Sequence, residues 1–198
     1  MADQNKIRYD LKNVHVGTLT FDESNVPIFG TPKAYPGAVH ITMDPEGEST
    51  PFYADGITYY ISDANNGYTG ELEMAYLYDW FETDFLGSKT STEGMIVEMA
   101  DNKTASMYMM FMFEGDVAAT KHILYNVKAS RPSIEGQTKE DTIEPITTTI
   151  PYTAMPLETT TGSFVKAKCP SGAANYDTFF SVAPALPTFA TATESTSS

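Results

Sequence analysis

Seven consecutive apolar residues, Met107-Tyr108-Met109-Met110-Phe111-Met112-Phe113, constrain this chain more than any other stretch. They fall far short of the roughly 20 residues a helix needs to span a bilayer, but they match one strand. Successive strand side chains point to opposite faces, so a run without polar alternation places apolar groups on both. The segment is therefore a strand buried on both sides or one covered by another subunit, and the core reading is preferred. The 198 residues of the chain suffice to enclose such a strand in a single compact domain.

Around this run the hydrophobic period is two. Leu11 to Phe21 mixes Val14, Val16, Leu19 and Phe21 with polar residues, and Ala38 to Met43 sets Val39, Ile41 and Met43 against His40 and Thr42. From Gly67 to Ala75, Tyr68, Gly70, Leu72 and Met74 share one face, and Thr69, Glu71, Glu73 and Ala75 the other. Further strands are predicted at 95–99, 106–113, 120–129, 142–153 and 164–169, about eight in all. Two segments follow a helical period instead. Leu77, Trp80, Phe81 and Phe85 fall on one side of a helix over about 76–86, with Asp79, Glu82 and Thr83 opposite and Gly87 as its stop. Asp84 is a misfit on the apolar side. A short C-terminal helix would gather Ala173, Tyr176, Phe179 and Phe180 before Pro184. The fold class expected is mainly β, a sandwich or barrel-like sheet with one flanking helix, the short C-terminal helix and a long inter-strand loop at about 44–66. Residues 1–183 form the domain, and 184–198, rich in small and hydroxyl side chains, are expected to be a disordered tail.

Twelve Lys and Arg against 26 Asp and Glu leave a formal charge of −14, which removes any electrostatic basis for nonspecific phosphate binding. The first ten residues hold no apolar run, so the expectation is synthesis in the cytoplasm without a secretory or lipid signal, and no membrane insertion. Cys169 has no second cysteine to pair with. No phosphate-cradling glycine loop, nucleophile elbow, zinc-protease helix or paired-cysteine motif occurs, and no catalytic, cofactor or metal site is assigned. His15, His40 and His122 lie on three separate predicted strands. Asp44, Glu46 and Glu48, like Glu71 and Glu73, stand at alternate positions that suit a calcium site or a glycosidase pair, although solvated acidic edges are the simpler reading. The segment from Asp63 to Gly67 begins like a calcium loop, but its glycine comes one place early and Met74 stands where the twelfth-position Glu belongs.

Several longer stretches carry a resemblance: Leu11-Lys12-Asn13-Val14-His15, Pro36-Gly37-Ala38-Val39, the run from Asp44 to Asp55, Ala64 to Leu72, Glu114-Gly115-Asp116 with Lys121-His122, Leu124-Tyr125-Asn126 with Ala129-Ser130-Arg131-Pro132, and Gly136 to Glu140 with Thr142-Ile143-Glu144-Pro145. Over about residues 6–182 the chain resembles the major tail tube proteins of long, noncontractile-tailed (siphovirus-type) bacteriophages of Gram-positive hosts. The resemblance implies a β-sandwich flanked by a helix, and a structural protein without enzymatic activity. It also implies hexameric rings of this chain, stacked as a virion tail tube around a tape measure protein, bounded by tail terminator and baseplate proteins, and conducting double-stranded DNA. On that basis Asp44, Glu46, Glu48, Phe52, Tyr53 and Asp55 are candidates for reaching a neighbouring subunit or ring, and Glu71 and Glu73 for lining the lumen. The alternatives are a soluble β-sandwich glycan-binding or glycan-active module using Tyr53, Tyr59 and Tyr60, or another virion part, a tail terminator or baseplate hub, on the same architecture.

Overall fold

The computed structural model describes residues 10–54, 56–114, 119–136, 138 and 145–189. Strand β1 (Leu11–Phe21) coincides with the first alternating segment. Short strands β2 (Pro27–Phe29) and β3 (Lys33–Ala34) fold back on it, then β4 (Ala38–Ile41) and β5 (Asp44–Glu46) lead to β6 (Ser49–Ala54), β7 (Ile57–Asp63) and β8 (Gly67–Met74). After helix α1 (Asp79–Asp84) come β9 (Lys89–Thr90), β10 (Ile96–Val97), β11 (Met107–Phe113), β12 (Lys121–Ala129) and β13 (Thr148–Ala154). The last strands are β14 (Leu157–Thr159), β15 (Gly162–Phe164) and β16 (Lys166–Cys169).

Ten strands build one antiparallel sheet, ordered β2-β1-β11-β12-β13-β8-β4, with β3 added on β1, β5 on β8 and β16 on β12. The sheet forks at β12, whose first half pairs with β16 and whose last residues pair with β13. Strands β1 and β4, far apart in that order, touch each other, so the sheet curls into the expected sandwich-like form.

Strand β11 is buried on both faces, as its unbroken apolar run requires. Met107, Met109 and Phe111 enter a first core with Val14, Val16, Leu72, Met74, Leu124, Ile150 and helix α1. Tyr108 and Met110 enter a second core with Leu19, Ile123, Tyr125, Leu157, Phe164, Cys169 and Phe179. Tyr108 lies across β1 at Gly17, where a Cβ would come within 2.3 Å of its ring, and its hydroxyl donates to the Gly30 carbonyl at 2.6 Å. Burial pushes the phenols of Tyr35, Tyr108 and Tyr152 well above the ordinary tyrosine range and Tyr125 up to about 12. Folded values above the unfolded value of about 10 mean that this contribution is complete below pH ~10 and is lost as pH rises through the folded values. Urea midpoints should therefore fall between pH ~9 and ~11.5, with the four phenols ionising only on unfolding. Equal midpoints with early phenolate absorbance would contradict this.

Helix α1 turns Phe81 and Phe85 into the first core, with Trp80 half-buried beside them. Asp79 and Glu82 in its first turn suit the positive end of the dipole. Gly87, at φ 82°, ends the helical segment in a conformation that disfavours other residues. The misfit Asp84 sits at the helix rim, 3.4 Å from the Lys33 ammonium, which itself lies 3.9 Å above the Trp80 ring.

One sequence expectation is corrected here. Residues 170–182 are not a helix but a succession of turns, with bonds from Ala173 N to Pro170 O, Tyr176 N to Ala173 O and Phe179 N to Tyr176 O. Ser171, Gly172, Asn175 and Asp177 disfavour a continuous helix, yet the three-residue spacing still stacks Ala173, Tyr176 and Phe179 on the second core. Past residue 184 the described chain stays near the body, with Leu186 on the second core and the exposed Phe189 stacked on Phe164, while 190–198 lie outside the described residues. Lys121 clamps this cover, its buried ammonium donating to the Tyr176 carbonyl at 2.7 Å beneath the Tyr176 and Phe180 rings. Lys121→Met keeps the stem and removes the charge-assisted bond, and should cost about 1.5–3 kcal/mol in urea unfolding. An unchanged midpoint would refute the clamp.

Candidate assembly surface

The segment expected to be a loop at 44–66 is instead a two-stranded ribbon that continues the sheet outward. Strand β5 pairs with β8 from Asp44 opposite Thr69 to Glu46 opposite Gly67. Backbone bonds from Asn66 N to Glu46 O (2.8 Å) and Ala64 N to Glu48 O (3.0 Å) carry the pairing on, and β6 and β7 extend it until Ala54 faces Ile57. The sequence carries a hairpin signal there in Asp55-Gly56. Among the described residues, strands β6 and β7 pair with each other and with no other strand. Ile57 and Tyr60 are exposed on them.

Asp44, Glu46 and Glu48 all sit exposed at the base of the ribbon. Phe52 and Tyr53 lie on β6, their backbones opposite Tyr60 and Thr58. Asp55 falls outside the described residues. Glu71 and Glu73 share the outer face of β8, opposite in direction to Leu72 and Met74, as the period of two predicts. Glu71 is exposed, whereas half-buried Glu73 accepts a 2.5 Å bond from the Thr147 hydroxyl and has His40 and Thr149 as cross-strand neighbours. The two acidic sets are thus joined through one sheet: Asp44 pairs with Thr69, two residues from Glu71.

Among the described residues no three His, Cys, Asp or Glu side chains converge to hold a metal ion. His15 stacks on Phe180 and His122 on Phe111, while His40 stands on β4. Burial holds the Cys169 thiol above its ordinary value despite the nearby Lys121, which keeps it protonated and unreactive. Among the described residues no helix is long and apolar enough to cross a membrane.

Charge segregation is the feature sequence reading missed. Residues 34–88, which supply the ribbon, β8 and α1, hold ten Asp and Glu and no Lys or Arg. Four exposed cations lie on other strands of the sheet, Lys128 on β12, Arg131 just after it, and Lys166 and Lys168 on β16, with the Lys166 ammonium 4.2 Å above the Tyr68 ring of β8. A count of charge sign along the chain would have found the first half of this pattern. The second half depends on the strand order.

The described residues form a curled antiparallel sheet with a projecting ribbon, an arrangement that offers strand edges to other chains. A family model described as phage tail tube protein matches residues 6–176, and the chain belongs to that family. No curated protein sequence matches it. Membership gives the chain a structural role in a phage tail tube, built by self-assembly and located in the virion.

Proposed function

We propose that this chain closes into hexameric rings that stack as the tail tube of a siphovirus-type phage, around a tape measure protein and between tail terminator and baseplate proteins, and that the tube conducts double-stranded DNA at ejection. The family match over 6–176 carries the reading, and the partnerless β6-β7 ribbon supports it. A head-to-tail subunit uses two different patches, which close a ring when the rotation fits. Open sheet edges at β4 and β5 on one side and β16 on another are then covered by neighbours rather than left as templates for aggregation. The ribbon bearing Asp44, Glu46, Glu48, Phe52, Tyr53 and Asp55 reaches the neighbouring subunit or ring, and Glu71 and Glu73 face the lumen.

Acidic lining suits a conduit. A pair of unit charges 10 Å apart in water interacts by only about 0.4 kcal/mol, and salt screens it further. Weak attraction repeated over a whole genome would hold DNA in the tube, whereas weak repulsion lets it slide. Negative-stain microscopy of the purified protein should show rings or tubes, and mass spectrometry of virions should find it as an abundant component. A protein missing from virions, or present in a handful of copies, overturns the function. Glu71→Lys with Glu73→Lys should leave tubes intact and slow DNA ejection. Unchanged ejection from such tubes removes these two residues from the lining.

A further inference from the structure

Beside the outer face of the sheet lies a groove of about 810 Å³ between the end of β12 and the segment 98–104. Leu86, Met99, Pro132 and Met155 give it apolar walls, and Lys128 and Arg131 stand at its rim. Arg131 is ion-paired with Glu98, but no salt bridge is made by Lys128 among the described residues. The amide Nδ2 of Asn102, also in the lining, is buried without a hydrogen-bond partner. Such an amide is costly to leave unsatisfied, and a polar backbone entering the groove would supply an acceptor.

We propose that this groove receives the acidic ribbon of a second copy of the chain. The inference rests on the tube reading and names the surface that the ribbon meets. Three observations favour this occupant. The ribbon comes from the 55-residue stretch without a single Lys or Arg, so its sign complements the rim. It carries exposed Ile57 and Tyr60, which suit apolar walls. Its two strands, unpaired with the main sheet among the described residues, offer strand edges.

Within one chain the sheet holds Asp44 apart from Lys128. Asp44, Thr69, Thr153 and Lys128 are successive cross-strand partners. Three strand spacings of about 4.8 Å separate the ends of this row by roughly 14 Å, beyond the reach of an ion pair. A second copy displaced sideways brings its acidic end against the basic end of the first. Repeated, that contact is head-to-tail, the type that generates rings or filaments.

The test uses exposed residues, where charge changes alter subunit stability little, and melting of each soluble variant verifies that. Glu46→Lys with Glu48→Lys, and separately Lys128→Glu with Arg131→Glu, should each raise the protein concentration needed for polymerisation at least about tenfold, equivalent to ~1.4 kcal/mol per contact. All four together should return it to within about threefold of wild type. Either pair polymerising at the wild-type concentration, or the fourfold variant no better than the pairs, overturns the groove assignment. The tube reading stands or falls separately, on whether the unaltered protein polymerises and is abundant in virions.

Discussion

Replacing residues 49–63 with Asn-Gly should leave a subunit that folds and melts within about 3 °C of the original but forms no tubes. The junction is geometrically suited, because Glu48 and Ala64 already face each other through the 3.0 Å bond from Ala64 N to Glu48 O, and Asn-Gly closes a two-residue hairpin. Little subunit stability is at stake, since among the described residues β6 and β7 make no strand pairing with the main sheet, and Ile57 and Tyr60 on β7 are exposed. Fixing the backbone of a residue costs on the order of 1–2 kcal/mol. A ribbon whose two strands pair with each other and not with the main sheet among the described residues is placed to make its contacts in an assembly. Thermal melts and electron microscopy of the deletion variant decide the point. Tubes of normal length would remove the ribbon from assembly altogether, and a collapsed melt would show that it supports the subunit instead.

What the sequence disclosed and what it hid follow from the range of each signal. Strand β1 coincides with its predicted limits, and β8 places Leu72 and Met74 inward with Glu71 and Glu73 outward, because alternation is a local property. The unbroken run 107–113 foretold a strand between two cores for the same reason. Strands such as β3, β9 and β10, two residues each, are too short to carry any period. The predicted C-terminal helix failed because a spacing of three residues serves a train of tight turns as well as a helix. The groove was invisible because its rim comes from β12 and its far wall from residues 98–104, which only the fold brings together. The family match spans residues 6–176, the region that holds the stretches on which the resemblance rests.

Phe81→Ala should be the most damaging single change in the subunit, at about 3–5 kcal/mol, or roughly 6–20 °C in melting temperature for a chain of this size. Phe81 is fully buried, stacks on Tyr35 with centroids 4.9 Å apart, and meets Phe85 at 5.2 Å and Trp80 at 5.9 Å. A helix of six residues has no stability of its own, so α1 holds its place through these rings. Truncation leaves a cavity against the fully buried Tyr35 ring and frees the helix from the core that also packs Leu72 and Met74. The outer face of β8 then loses its backing, so the variant should also fail to assemble above its lowered melting temperature while polymerising below it. Asp84→Asn at the exposed rim of the same helix removes only the Lys33 pair and should cost under ~1 kcal/mol. Calorimetry of both variants separates the two roles: comparable losses, or a Phe81→Ala loss below about 1 kcal/mol, would mean that the aromatic cluster does not anchor the helix.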